Sequence, residues 1–271
     1  MSGGVYEAGT GQRAARVEAG LTTHQSRVST TSKGRSNADR WFYAVVTMLV
    51  ILVNVVGFSP SLLNPSTRTV PLPLTSLDLA HVLVSVTWLL VFLAQVTLVA
   101  AGRLTIHRQL GVFGILLSAA LIVVTWFMLV EGARRGFDLS GDLVPRGTSV
   151  DPGTFLAPAG SLIPLAAFVA AAVWYCQRPA VHKRLMILAL LTSTGAPIAH
   201  VVGHWPAFAS YALAGGTFIF FLPAIRDWVW EHRIHPVSLW GAIFSLLWTS
   251  VFLIVFARTV VWRNFAEWVV R

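Results

Sequence analysis

An all-α bundle of seven transmembrane helices is the fold class this sequence predicts, on three observations. Of 271 residues, 55% are apolar and only 11% are charged, against about 25% charged in soluble domains. The apolar residues gather into seven runs, and a helix needs about 20 residues to cross a hydrocarbon core about 30 Å thick. Basic residues collect in the short stretches between the runs, the pattern that sets orientation in a membrane. The net charge of +9 would suit nucleic acid if it lay on one surface. Its dispersal over connectors excludes that, and the expected partner is the lipid bilayer. Backbone groups in lipid must be satisfied within their own segment, so the runs are read as helices.

Residues 1–39 are rich in Gly, Ser, Thr and Arg with few large apolar side chains. They bury too little to offset chain entropy, and a disordered basic cytoplasmic tail is expected. GFSPSLLNPS after the first run offers no small-x-small cleavage site, so the first run is read as a retained span rather than a signal peptide. The transmembrane domain then covers residues 40–258. Its spans run from about Trp41 to Phe58, Leu77 to Ala101, Leu110 to Val130, Gly160 to Tyr175, Leu185 to Val202, Phe208 to Ile225 and Val237 to Ala257. Residues 259–271 place Val261, Phe265, Trp268 and Val269 on one helical face, as an amphipathic helix in the outer interface or a continuation of the last span. The segment Glu131 to Ala159 carries no secondary-structure signal and is a lid over an outer site or a connector. Cys176, the lone cysteine, reads as a small core residue. Asn54 and Gln95 read as hydrogen-bonding groups between helices, and Gly215–Gly216 as a point of close packing.

Arg27, Lys33, Arg35, Arg40, Arg103, Arg108, Arg178, Lys183, Arg184, Arg226 and Arg233 fall on one side if the spans alternate. That side is expected to be cytoplasmic, with the N-terminus inside and the C-terminus outside. Two of the basic stretches echo each other: Gly102 to Gly111, GRLTIHRQLG, and Arg178 to Met186, RPAVHKRLM. Each ends one apolar run, sets a histidine beside Arg or Lys, and opens the next.

Histidine is the side chain with chemistry to offer, because no predicted span carries an acid or base in its middle, where ion pathways place them. His107 and His182 fall at the inner face and His81, His200 and His204 at the outer face. His200 and His204 are an i, i+4 pair that can share a metal or flank one ligand. Imidazole is a common ligand of haem iron and other transition metals. His81, His107, His182 and His200 are therefore candidate cofactor ligands for haem b or a transition metal, with His204 a further metal ligand. Arg108, Lys183 and Arg184 suit an anionic group: haem propionate, lipid phosphate or carboxylate. His232 and His235 in EHRIHP read as solvated connector residues. No P-loop, dinucleotide fingerprint, HExxH or nucleophile elbow is present.

Several stretches together resemble a widespread family of bacterial multi-pass membrane proteins without assigned activity: Arg40-Trp41-Phe42-Tyr43, Gly57-Phe58-Ser59-Pro60-Ser61, Gly102-Arg103 with His107-Arg108-Gln109-Leu110-Gly111, His182-Lys183-Arg184-Leu185-Met186, Arg233-Ile234-His235-Pro236 with Leu239-Trp240-Gly241, and Trp262, Phe265, Ala266 and Trp268. In histidine placement the chain is also similar to other uncharacterised membrane families and loosely to b-type cytochromes. The resemblance implies a bacterial inner-membrane location. It departs at Leu79, where members often carry a histidine, and at His200, where they often carry an arginine. The functional expectation is a histidine-ligated membrane redox protein exchanging electrons with a quinone or other lipophilic small molecule. The alternatives are a non-redox protein that binds or moves an amphiphile, and an accessory or assembly subunit of a larger membrane complex.

Overall fold

The computed structural model describes residues 41–60, 63, 75–135 and 151–271. The chain divides into Met1–Phe42 and Tyr43–Arg271, and the helical bundle is the second part. The expected tail at 1–39 lies outside the described residues, as does 136–150, the middle of the expected lid or connector. The described residues form helices and turns, without strands, and seven helical stretches are long and apolar enough to cross a membrane. The protein is an all-α, multi-pass integral membrane protein.

The first three spans are single helices: α1 (Trp41–Pro60), α2 (Ser76–Ala100) and α3 (Leu104–Arg135). The fourth joins a short α4 (Pro152–Leu156) through a 3-10 turn to α5 (Leu162–Trp174), and the fifth joins α6 (Pro179–Thr192) to α7 (Gly195–His204). The sixth contains α8 (Ala209–Phe218) and α9 (Leu222–Arg226) and ends in one π turn, Asp227–Glu231. The seventh is α10 (Pro236–Ile254), followed by a separate helix α11 (Val260–Val270).

The interruptions have local causes. Between α6 and α7, the hydroxyls of Thr192, Ser193 and Thr194 turn back onto the Ala189, Leu190 and Leu191 carbonyls at 2.7 Å each. Pro197 then removes an amide from the ladder. Pro223 does the same one turn after the 3-10 residues Ile219–Phe221. α2 ends in a Schellman motif, with Gly102 at φ +72° and the Arg103 and Gly102 amides bonded to the Leu98 and Val99 carbonyls. The chain therefore turns over three residues, Ala101 to Arg103, and α3 starts at once.

This shifts two sequence boundaries. The basic stretches expected to be connectors are the first turns of α3 and α6, because the Gly102 cap and Pro179 at the start of α6 let each helix begin before its apolar run. The fourth span likewise starts at Pro152 rather than near Gly160, a proline favoured at a helix start. That converts the end of the expected loop into helix.

α6 is the central element: Ile187, Leu188, Ala189, Leu190 and Leu191 are buried on every side. Lipid tails are as apolar as these side chains, so association rests on close van der Waals fit rather than on a hydrophobic drive. Glycines provide it where α10 crosses α6, since a β-carbon on Gly241 would collide with Leu188, and where α1 crosses α7, since one on Gly57 would sit 2.5 Å from the Pro197 carbonyl. Gly216, of the expected close-packing pair, abuts Ile198, while Gly215 faces open space. A second core joins α3, α4, α10 and α11 at the far end from the α6 N-terminus, around Leu129, Leu156, Phe252, Trp262 and Ala266.

The C-terminal helix is docked there by the Trp262 indole, which donates to the Gly153 carbonyl at 2.8 Å. Val261, Phe265 and Trp268 of the predicted face are exposed, as a lipid-facing surface requires. Three smaller expectations are corrected. Cys176 is exposed, since it lies in the turn beyond α5. Asn54 donates to the Val50 carbonyl of its own helix at 2.9 Å rather than across to a neighbour. His235, expected to be solvated, is half-buried and caps α10.

Candidate functional site

The site is assembled at the end of the bundle where α3, α6 and α10 begin. His107 lies on the first turn of α3, on the face that continues through Gly111, Gly114 and Ser118. Val91 and Gln95 of α2 stand 3.5–4.0 Å from where β-carbons on Gly111 and Gly114 would be, which is ordinary contact distance. Further along, the Trp88 indole donates to Ser118 Oγ at 2.8 Å. His182 lies on the first turn of α6, and its Nδ1 sits 2.8 Å from the Ala172 carbonyl. That carbonyl belongs to the last turn of α5, where helical partners run out. A carbonyl only accepts, so Nδ1 carries the proton. When the ring is neutral, Nε2 therefore holds the lone pair.

The two imidazoles approach each other edge-on, with ring centres 6.4 Å apart and planes at 83°. They stand on helices 75 positions apart in the chain, and no spacing rule foretells the meeting. His107 Nδ1 and Gln95 Oε1 are both buried without a hydrogen-bond partner. Beside the pair, Lys183 lies over the Tyr43 ring at 5.4 Å, which ties α1 to this end.

Arg184 turns the other way and is fully buried. It forks onto Asp227, Nε to Oδ2 at 3.0 Å and Nη2 to Oδ1 at 2.5 Å, and also reaches Glu231 at 3.1 Å and the Ala180 carbonyl at 2.7 Å. Arg226 bonds Asp227 at 2.9 Å and pairs closely with Glu231. Asp227 is completed by the Ser238 hydroxyl at 2.6 Å and the His235 amide at 3.2 Å. Two cations and two anions thus tie α6, the π turn and α10 together. The π turn and the left-handed His232, φ 53°, bring Glu231 onto Arg184 and Arg226 and the His235 amide onto Asp227. His235 Nδ1 accepts from the Val237 amide at 3.2 Å. Burial, and next the positive Arg184, push the His235 imidazole below its ordinary value.

The other predicted residues are placed as follows at the opposite end and on the surface. His200 and His204 have ring centres 6.2 Å apart, and Phe58 packs on His200 at 4.6 Å. His81 meets Thr125 at 3.2 Å and Ser85 at 3.4 Å. Among the described residues, no group of three or more His, Cys, Asp or Glu side chains converges on one point, and the ring contacts are pairs, His107 with His182 and His200 with His204. Of the anionic-group candidates, Arg108 is exposed, Lys183 is half-buried and Arg184 is engaged by carboxylates of its own chain. An external anion on Arg184 would have to displace Asp227.

Sequence reading missed Asp227, Glu231, Ser238 and the Ala172 carbonyl. One signal was present: Asp227 and Glu231 are an i, i+4 acid pair among basic neighbours, at a span end that otherwise collects arginines.

An integral membrane bundle with paired histidines and a buried ion network is the class of protein that fold and site define. No protein-family model, curated protein or solved structure matches the chain.

Proposed function

We propose that this is a membrane redox protein in which His107 and His182 ligate haem iron or another transition metal, exchanging electrons with a lipid-soluble partner such as a quinone. The observation that carries this reading is the His107–His182 pair. Ligand histidines generally give their second ring N–H to a carbonyl or carboxylate, and His182 does so to Ala172. Two imidazoles held on opposite sides of one metal, at about 2.0–2.1 Å each, have ring centres about 6 Å apart, close to the 6.4 Å found. Among the described residues no third His, Cys, Asp or Glu joins the pair, and a two-imidazole set would suit haem iron better than a structural zinc with its four protein ligands. His200 and His204 form a second two-imidazole candidate, and the exposed Arg108 is a cation suited to propionate or lipid phosphate. The basic distribution and the family resemblance support a bacterial cell membrane with the N-terminus cytoplasmic.

The test is an absorption spectrum and elemental analysis of the detergent-purified protein. A Soret band, or near-stoichiometric metal that is lost in His182→Ala, supports the reading. A colourless, metal-free protein overturns it.

A further inference from the structure

We infer that Gln95 is the positioning residue of the histidine pair: its side-chain oxygen takes the Nδ1 proton of His107 and so presents Nε2 as the ligand nitrogen. The inference rests on the reading of His107 as a ligand. Three observations lead to it. Gln95 Oε1 and His107 Nδ1 are both buried and both without a hydrogen-bond partner, and one is an acceptor while the other is a donor in one of its two neutral tautomers. They are neighbours: the Gln95 amide nitrogen stands 3.5 Å from where a β-carbon of Gly111 would be, one helical turn after His107, and the Gln95 main chain lies within hydrogen-bonding reach of the His107 ring. An unpaired polar group costs far more within a membrane than at a wet surface. Rotation of two side chains satisfies both at once.

His182 shows the matching arrangement. His182 has its Nδ1 proton fixed by the Ala172 carbonyl, a partner that the end of α5 leaves open. The α2 main chain beside His107 already serves its own helical ladder, and the Gln95 side chain offers an acceptor without that commitment. The Gln95 amide lies against Gly111 and Gly114, on the same face of α3 as His107. A leucine or valine at 95 would pack equally well in lipid and leave the imidazole free to change tautomer.

The test reads the tautomer directly. Full-length protein labelled with ¹⁵N-histidine is purified in detergent, and His107 is assigned by the signal missing in His107→Gln. The long-range ¹H–¹⁵N spectrum of the wild type is expected to show His107 protonated at Nδ1, Gln95→Leu to lose that preference, and Gln95→Glu to keep it. Wild-type protonation at Nε2, or an unchanged tautomer in Gln95→Leu, overturns the inference. Should Gln95→Leu fail to fold, Gln95→Asn, which withdraws the amide by one methylene, takes its place, with the same two outcomes. Where iron is bound, the midpoint potential gives a second readout, lower in Gln95→Glu and higher in Gln95→Leu than in the wild type. A metal-bound protein whose potential and tautomer ignore residue 95 sinks the role of Gln95 and leaves the redox reading standing. A metal-free protein with the predicted tautomer does the reverse.

Discussion

The first turns of α3 and α6 are near copies in sequence, His-Arg in one and His-Lys-Arg in the other, yet they dispose of their arginines oppositely. Arg108 points out and is exposed, while Arg184, one residue further from its histidine, is rotated about 100° around the helix and enters the core to meet Asp227. The histidines of both turns face the same space. One inserted residue thus separates two functions that a motif would merge: the imidazoles are left to each other, and only one of the arginines becomes structural.

The contrast is broken most severely by Asp227→Ala. It leaves Arg184 and Arg226 buried without their shared carboxylate, and removing one partner of a buried pair costs about 3–5 kcal/mol. Arg108→Ala, on the exposed copy, is expected to stay within about 0.5 kcal/mol. Thermal unfolding in detergent compares them, and equal shifts would mean that the network is not what holds this end. Next in size is Gly57→Ala, whose new methyl meets the Pro197 backbone. Overpacking against backbone costs about 1–3 kcal/mol, whereas Gly195→Ala meets nothing within 4 Å and should be neutral or mildly stabilising. At the opposite end, Trp262→Phe keeps the ring and loses the bond to Gly153, for about 1 kcal/mol.

The smallest effect is a pH dependence. His235 accepts a bond through Nδ1, and its folded-state proton affinity lies below the free imidazole value of 6.5. The unfolded chain therefore takes up the proton first. This contribution to stability is complete above about pH 6.5 and is lost as pH falls through the lower folded value. His235→Asn keeps a helix-capping acceptor without a titrating ring. Its melting temperature should fall less than that of the wild type between pH 7 and pH 5, and parallel curves would remove His235 as the cause.

The spans were legible because crossing lipid demands long apolar runs, and nothing in the chain competes with that demand. Their ends were less so: a glycine cap at 102 and a proline at 179 start helices while the sequence still looks like connector. The i, i+4 relation of His200 and His204 could be read from spacing alone. The meeting of His107 with His182, or of Arg184 with Asp227, could not, because both depend on how α6 is rotated among its neighbours. Gly241 and Gly57, unremarked in the sequence, are among the residues that set how closely those neighbours come.

The balance of charge in the Arg184, Arg226, Asp227 and Glu231 network has an electrical consequence. A voltage across the membrane does work of about 2.3 kcal/mol per elementary charge per 100 mV, but only on net charge that moves. Two cations locked to two anions give the field nothing to pull. An energised membrane therefore leaves this joint between α6 and α10 undisturbed.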